Sequence, residues 1–527
     1  MKRAFQSTAI LLWLRNPYPG VMYEFPYPSQ GPMILNLFFA FSAIGIAIFA
    51  LFELKIVLGF WRAHKAQKHR KTVRFPPMDR AHIPSVTVQL PIYNEPLVAT
   101  ELIRAVLELN YPRDQLHIQI LDDSTDGTSA LIEALLNNLE ESSVSISHVR
   151  RAERIGYKAG ALAHGMTLTD SDFFAIFDAD FIPPKDFLRR ALIDENMFYD
   201  ENVAFVQGRW TFYNLNKNIL TRLQSILIDR HFVVQKPYQM AAQRTVFFNG
   251  SGGIWRRSAI EAAGGWSADT LCEDLDLSYR CAMLGYTGHY DSTLTCPSEI
   301  PPNLQSFKLQ QRRWAKGSAQ CMIKLIPDVM SSKKITYKGE DLFAMIGYLI
   351  HPILLFYVLA WPWVVLQGSS PTFLWTCQIG LVLGNLAAIS GFLSTYIMRS
   401  GQKKGLAMVV EVLASMILGI TLMVNNSIAF MSGLLTREGE FERTPKAGLN
   451  SNGSAGVGRR LPLHWTFIIE AAVAGYGIVA ATLMFNRGHF LEAQQSFLLG
   501  LAMFAMVVAQ IRRPRLKLSL QKSSAVD

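Results

Sequence analysis

The sequence predicts an α/β domain with a mostly parallel sheet, inserted in an α-helical transmembrane bundle. Three observations lead there: an uncharged run of twenty residues from Met33, a long middle section in which short apolar strands alternate with polar helices, and five apolar runs beyond about residue 340. Half of the 527 residues are hydrophobic and 17% are charged, against about 25% in ordinary soluble domains. That balance excludes disorder, a coiled coil and a small disulfide scaffold. The net charge of +10 alone would suit nucleic acid. The basic residues lie beside the apolar runs, however, so the expected partner is membrane lipid and not nucleic acid. Cys272, Cys281, Cys296, Cys321 and Cys377 are odd in number and contain no C-x-x-C pair, so neither a zinc site nor a disulfide framework is readable.

In chain order, residues 1–32 read as an interfacial segment, because Ala9–Leu14 is too short to cross and lacks a small-residue cleavage site. Residues 33–60 are long and apolar enough for a transmembrane helix. The acid-free basic run that follows (Arg62, Lys65, Lys68, Arg70, Lys71, Arg74) belongs on the cytosolic side by the positive-inside rule. Residues 61–340 contain no crossing segment and form a cytosolic domain; 341–398 hold two spans. Leu406–Leu435 contains Glu411, Asn425, Asn426 and Ser427, polar groups costly in hydrocarbon, and basic loops flank it on both sides. We therefore read 399–435 as interfacial or re-entrant, with six full spans as the alternative. Residues 436–462 follow as a cytosolic loop, 463–511 as two further spans and 512–527 as a basic cytosolic tail. Glu470, an acid inside a span, is a pore candidate; Trp361, Trp363 and Trp375 suit either a pore lining or an interfacial belt.

Within the domain, Ser85–Ile92 reads as a buried strand stopping at Tyr93-Asn94-Glu95, and His117–Leu121 as a second strand ending in Asp122-Asp123. With helices Leu97–Leu109 and Ser129–Leu139 and the strand Ser145–Val149, the alternation indicates βαβ units. Ligands of such sheets sit at the carboxyl ends of strands. No G-x-G-x-x-G follows the first strand, so the dinucleotide fingerprint is absent. Acids at Asp122 and Asp123 suit a base or ribose; either alone is equally an N-cap. The strand Phe173–Phe177 ends in Asp178-Ala179-Asp180, where two carboxylates suit Mg²⁺ or Mn²⁺ bridging phosphates. Arg154 and Lys158, with two glycines between and beyond them, suit a phosphate or an ordinary solvated loop. Gly250 and Ser251 lie in a glycine-dense turn open to a ligand. Glu273-Asp274 begins a helix, and Gln310, Arg313 and Trp314 end the domain with donors and a large ring.

Taken in order, these motifs resemble the inverting family 2 glycosyltransferases, and within them the membrane-embedded processive branch of cellulose synthase and the cellulose-synthase-like mannan and glucan synthases. That family's pattern is D, D-x-D, E-D and Q-x-x-R-W, supplied here by Asp122-Asp123, Asp178-x-Asp180, Glu273-Asp274 and Gln310-x-x-Arg313-Trp314. Pro91-x-Tyr93-Asn94-Glu95 also fits, and Phe441-x-x-Thr444-Pro445-Lys446 resembles the family's cytosolic gating loop. Cys272 departs from the usual Thr, and His164 from a common Asn. The resemblance implies a GT-A type nucleotide-sugar-binding domain in the cytosol and a membrane protein of the plasma or inner membrane, or the Golgi. It implies a Mg²⁺- or Mn²⁺-dependent enzyme that builds a β-linked mannan, glucomannan or glucan from GDP-mannose or UDP-glucose and passes the growing glycan across the membrane, with accessory export subunits as further partners. Asp178 and Asp180 are then metal ligands. Tyr93, Glu95, Asp122, Asp123, Arg154, Lys158 and Asp178 bind the donor. Asp274, beside Glu273, is the general base, and Gln310, Arg313, Trp314, Gly250 and Ser251 meet acceptor and diphosphate. The alternative is a non-processive enzyme making a β-glycosyl lipid on a diacylglycerol or polyprenyl phosphate acceptor.

Overall fold

The computed structural model describes residues 33–67, 78, 82–139, 144–399, 405–436, 444–446, 448 and 464–512. The N-terminal segment 1–32, most of the basic run and the basic tail, and Phe441 lie outside these residues. The domain is built on a seven-stranded sheet of order β3-β2-β1-β4-β6-β5-β7. Its strands are β1 Val86–Ile92, β2 Leu116–Asp122, β3 Ser145–Val149, β4 Phe173–Ile176, β5 Val203–Phe212, β6 Gly253–Arg256 and β7 Thr287–Ser298. Only β6 runs against its neighbours; the other pairings are parallel. This is the mostly parallel α/β sheet predicted from the strand–helix alternation, with helices on both faces as parallel sheets require. Helix α1 Met33–Gln67 precedes the sheet, and α2 Ala99–Leu107, α3 Thr128–Asn137 and α4 Tyr157–Met166 connect its first four strands. The α2 residues Leu102, Ile103 and Val106 bury against Val88, Leu90 and Ile118. On the other face Ala161 and Leu162 of α4 pack on Leu121 and Ile176. Gln89 and Gln119 point to that face, and their amides donate to the α4 carbonyls of Leu162 (3.3 Å) and Gly165 (2.9 Å). These bonds fix α4, and hence Lys158 in its first turn, over the strand ends.

Beyond the sheet, α5 Ile219–Asp229, α6 Glu273–Leu284 and α7 Leu304–Ser331 lead into α8 Ile350–Leu366, α9 Pro371–Met398, α10 Leu406–Thr421, α11 Met423–Leu435, α12 Thr466–Asn486 and α13 Phe490–Ile511. Among the described residues, five helices are long and apolar enough to cross a membrane: α1, α8 with the turn before it, α9, α12 and α13. The first runs on to Gln67, so Arg62 and Lys65 extend from the span as helix. The predicted interfacial segment is two helices, α10 and α11, meeting at a 44° bend. Arg222, beside Glu411, ties α5 to α10. Arg230 Nε, 2.6 Å from Glu53, ties the residue after α5 to α1, and Asp229, 3.1 Å from Arg399, ties α5 to the end of α9. Trp363 and Trp375 face outward at 57% and 66% exposure, as an aromatic belt does, while Trp361 is buried with its Nε1 on the Glu492 carbonyl.

Candidate active site

The β1–β2 register places Ile92 beside Asp122, so Tyr93-Asn94-Glu95 and Asp122-Asp123 emerge together. β4 lies on the other side of β1 and delivers Asp178-Ala-Asp180. Because β6 pairs antiparallel with β4, Ile176 against Gly253, the turn 249–252 folds back over the same edge. Ser251 Oγ accepts the Asp178 N–H at 2.8 Å and so sets the direction of the D-x-D segment. Together with the first turn of α6 and the second and third turns of α7 these ends line a cavity of about 170 Å³. Its wall includes Tyr93, Glu95, Asp123, Arg154, Lys158, Asp178, Asp180, Gly250, Glu273, Asp274, Gln310, Arg313 and Trp314, along with Thr444 and Lys446 from the distant loop.

Two predicted binding residues have other duties. Asp122 is buried and its oxygens are taken by the Ser124 N–H (2.9 Å), the Ser129 hydroxyl (2.6 Å) and His148 Nε2 (3.0 Å). Burial by itself would raise its carboxyl, but these bonds outweigh it and hold the group well below the usual carboxylate range. It shapes the loop, bound to its own neighbours rather than set in the cavity wall. Ser251 is fully buried. It positions Asp178, and its carbonyl accepts from Trp210 Nε1 (2.9 Å), so it acts behind the wall.

The remaining acids at the strand ends each meet a cation. Arg151 grips both oxygens of Asp123, at 3.0 and 2.5 Å, and the Arg154 guanidinium lies 3.4 Å over the Tyr93 ring. Lys158 Nζ stands 2.7 Å from Asp178 Oδ1, 3.4 Å from Glu273 and 2.7 Å from the Gly250 carbonyl. Burial alone would discharge this lysine, but Asp178 and Glu273 together raise it above its ordinary value. Lys446 Nζ is 2.5 Å from Asp180 Oδ2. There too burial is outweighed, by Asp180, Glu299 and Glu95. Asp274 is the exception in direction. Burial, then the charge of Glu273, pushes its carboxyl up to about 7, with backbone N–H groups and Lys158 opposing. An acid poised near neutrality in a cleft is what a general base requires. Gly250, at φ 76, keeps the space before it open: a Cβ there would come 3.4 Å from Asp274 Oδ2. Gln310 is buried, and its Oε1 has no hydrogen-bond partner among the described residues.

Sequence reasoning missed Arg151, Glu299 and the aromatic pair Trp210 and Phe212, which also line the cavity or bind its wall. Glu299 follows β7 and accepts the Gly448 N–H at 3.1 Å, docking the distant loop. An acid just past a strand end was the only signal it offered.

Residues 173–398 match the family model described as glycosyl transferase family group 2. Over those residues the chain is similar to the family 2 glycosyltransferases. Among curated relatives, "Probable glucomannan 4-beta-mannosyltransferase 9" of Oryza sativa subsp. japonica is 38% identical over 260 residues, 49% of each chain. "Glucomannan 4-beta-mannosyltransferase 2" of Arabidopsis thaliana is 36% identical over 288 residues, 53% of each. The chain thus spans about half the length of the curated relatives it matches. In fold it is similar to the mannosyltransferase PcManGT from Pyrobaculum calidifontis, solved with GDP-Man and Mn²⁺, with TM-score 0.52 and 21% identity over 75% of this chain and 99% of that one.

Proposed function

We propose that the protein is an inverting, metal-dependent hexosyltransferase of the membrane, polymerising a β-linked mannan or glucomannan from GDP-mannose. The observation that carries this reading is the meeting, in one cavity, of the D-x-D acids, the near-neutral Asp274, the Gln310–Arg313–Trp314 set and Lys446 of the later loop. The relatives named as glucomannan mannosyltransferases favour mannose over glucose as the sugar.

Tyr93 and Asp123, with Arg154 and Arg151 on them, form the base and ribose end. Asp178 and Asp180 fit a hard divalent cation: they are oxygen donors, and Asp178 Oδ1 is buried with only the Lys158 ammonium against it. Among the described residues no group of three or more acids, histidines or cysteines forms a closed metal cage. That suits Mg²⁺ or Mn²⁺, which take one or two carboxylates and leave the rest to phosphates. When bound, the ion neutralises charge developing on the departing diphosphate. Lys158 and Lys446 stand where that diphosphate adds its own charge, so each exchanges a carboxylate partner for phosphate oxygens. Asp274 takes the proton of the acceptor hydroxyl as it attacks the anomeric carbon from the face opposite the leaving group, turning an α-linked donor into a β-linked product. Gln310 and Trp314 orient the acceptor sugar. The basic residues beside the apolar runs support a cytosolic side for the domain by the positive-inside rule, and in this reading the glycan leaves through the helices. Asp274→Asn tests the core of the proposal: GDP-mannose binding persists and transfer is lost. Undiminished transfer would remove Asp274 from the reaction.

A further inference from the structure

Behind the acceptor helix α7 lies a closed polar cluster that the reaction does not touch. Lys308 Nζ donates to both oxygens of Glu470, at 2.6 and 2.7 Å, and to Gln510 Oε1 at 3.0 Å. Gln510 Nε2 donates back to Glu470 at 2.8 Å. The three residues come from α7, α12 and α13 and are 4%, 0% and 3% exposed. Glu470, marked in the sequence as a pore candidate, thus has protein partners on both oxygens and no open face.

The same face of α7 makes further attachments to the helices. Asn425 Nδ2 of α11 donates to the Lys308 carbonyl at 3.1 Å, and Arg312 Nη1 lies 3.1 Å from His464 Nδ1 at the start of α12. Gly433 of α11 sits so close that a Cβ there would meet the Lys316 carbonyl at 2.5 Å. At roughly 100° per residue, Lys308, Arg312 and Lys316 share one side of α7, while Gln310 and Trp314 project roughly 160° away and Arg313 roughly 100° away, and all three line the cavity. One rigid helix therefore has its bundle side pinned by a charge pair and its other side lining the site.

A buried ion pair is a poor source of stability, since desolvation offsets its attraction; its best-attested use is to fix register. An apolar contact would hold α7 against the bundle but allow it to rotate or slide. We propose that the Lys308–Glu470–Gln510 cluster positions the acceptor: it fixes the rotation and height of α7 at which Gln310, Arg313 and Trp314 meet the acceptor sugar. This rests on the transferase reading above. Lys308, Glu470 and Gln510 are positioning residues, and their loss should affect transfer to the glycan while leaving the donor end alone.

The test uses the full chain in lipid nanodiscs with Mn²⁺ and GDP-mannose, and reads three quantities: donor affinity, release of free mannose to water, and transfer to a β-linked manno-oligosaccharide. Glu470→Gln leaves Lys308 buried without its counter-charge. The paired variant Lys308→Met with Glu470→Leu removes both charges at similar volume and guards against misfolding. In both, donor affinity and mannose release should stay within about twofold while transfer falls about tenfold with a raised acceptor KM. The swap Lys308→Glu with Glu470→Lys should recover part of the transfer. An apolar pair with an unchanged ratio of transfer to mannose release would overturn the proposal, as would a proportional fall of all three quantities. A wild-type chain that turns over no nucleotide sugar would instead refute the transferase reading.

Discussion

At the strand ends of the cavity, acid after acid already has a cation: Asp123 holds Arg151, Asp178 holds Lys158 and Asp180 holds Lys446. At the other end of the same cavity Gln310 offers an oxygen with no hydrogen-bond partner among the described residues, and the cations Lys308 and Arg312 are turned into the bundle. Asp123, Asp178 and Asp180 are thus each held by a cation before any ligand arrives, and on the proposed function donor binding there is an exchange of partners. At the end proposed for the acceptor, the Gln310 oxygen is left open and its helix is held from behind. A charged, metal-bound diphosphate and a neutral, hydroxyl-rich sugar ask for these two constructions.

Substitutions that separate the two ends sharpen the contrast. The largest effect belongs to Asp274, which serves both. Asp274→Asn should lower transfer by about 10²–10⁴-fold with donor affinity unchanged, measured as label incorporated against GDP-mannose titration. Next is Lys446→Met. It frees Asp180 and should strengthen Mn²⁺ binding without nucleotide by about tenfold. The same change should weaken GDP-mannose binding, because a phosphate cation is gone. Calorimetry with each ligand reads both signs, and a parallel change in the two would break the exchange picture.

The pH dependence comes third. Transfer needs Asp274 ionised, so its rate should rise with pH, level off above about 7, and lose this limb in Asp274→Asn. The linked stability runs the other way. The folded carboxyl lies above its ordinary 3.8, so the native state holds the proton more tightly. Stability therefore falls as pH climbs through that interval. Denaturant unfolding at several pH values checks it. The smallest effect is expected of Gly250→Ala, whose φ of 76 disfavours a side chain. It should cost roughly 1 kcal/mol and slow transfer modestly by crowding Asp274, seen as a lower Tm with donor affinity kept.

Much of the donor end was legible in the sequence because strand ends announce themselves: an apolar run stopping at acids fixes both the element and the direction its residues face. β1, β2 and β4 with Asp123, Asp178 and Asp180 follow from that rule alone. Asp122 satisfies the same rule and yet binds its own loop, since the residue facing His148 and Ser129 depends on a neighbouring strand 26 residues away. Arg151 was invisible for the same reason, its partner lying 28 residues back. The acceptor end showed its motif but not its support. Glu470 stood out as an acid in hydrocarbon, while its partner Lys308 lies 162 residues earlier in a helix that reads as part of the domain.

The most direct measurement of the central claim is the size and solubility of the product. The full chain in lipid, given Mn²⁺ and labelled GDP-mannose, should place label in a water-phase polymer that β-mannanase degrades, and UDP-glucose should be the poorer donor. Label extracted into chloroform, in a product bearing a single sugar, would contradict the account and make the membrane helices a lipid-acceptor site.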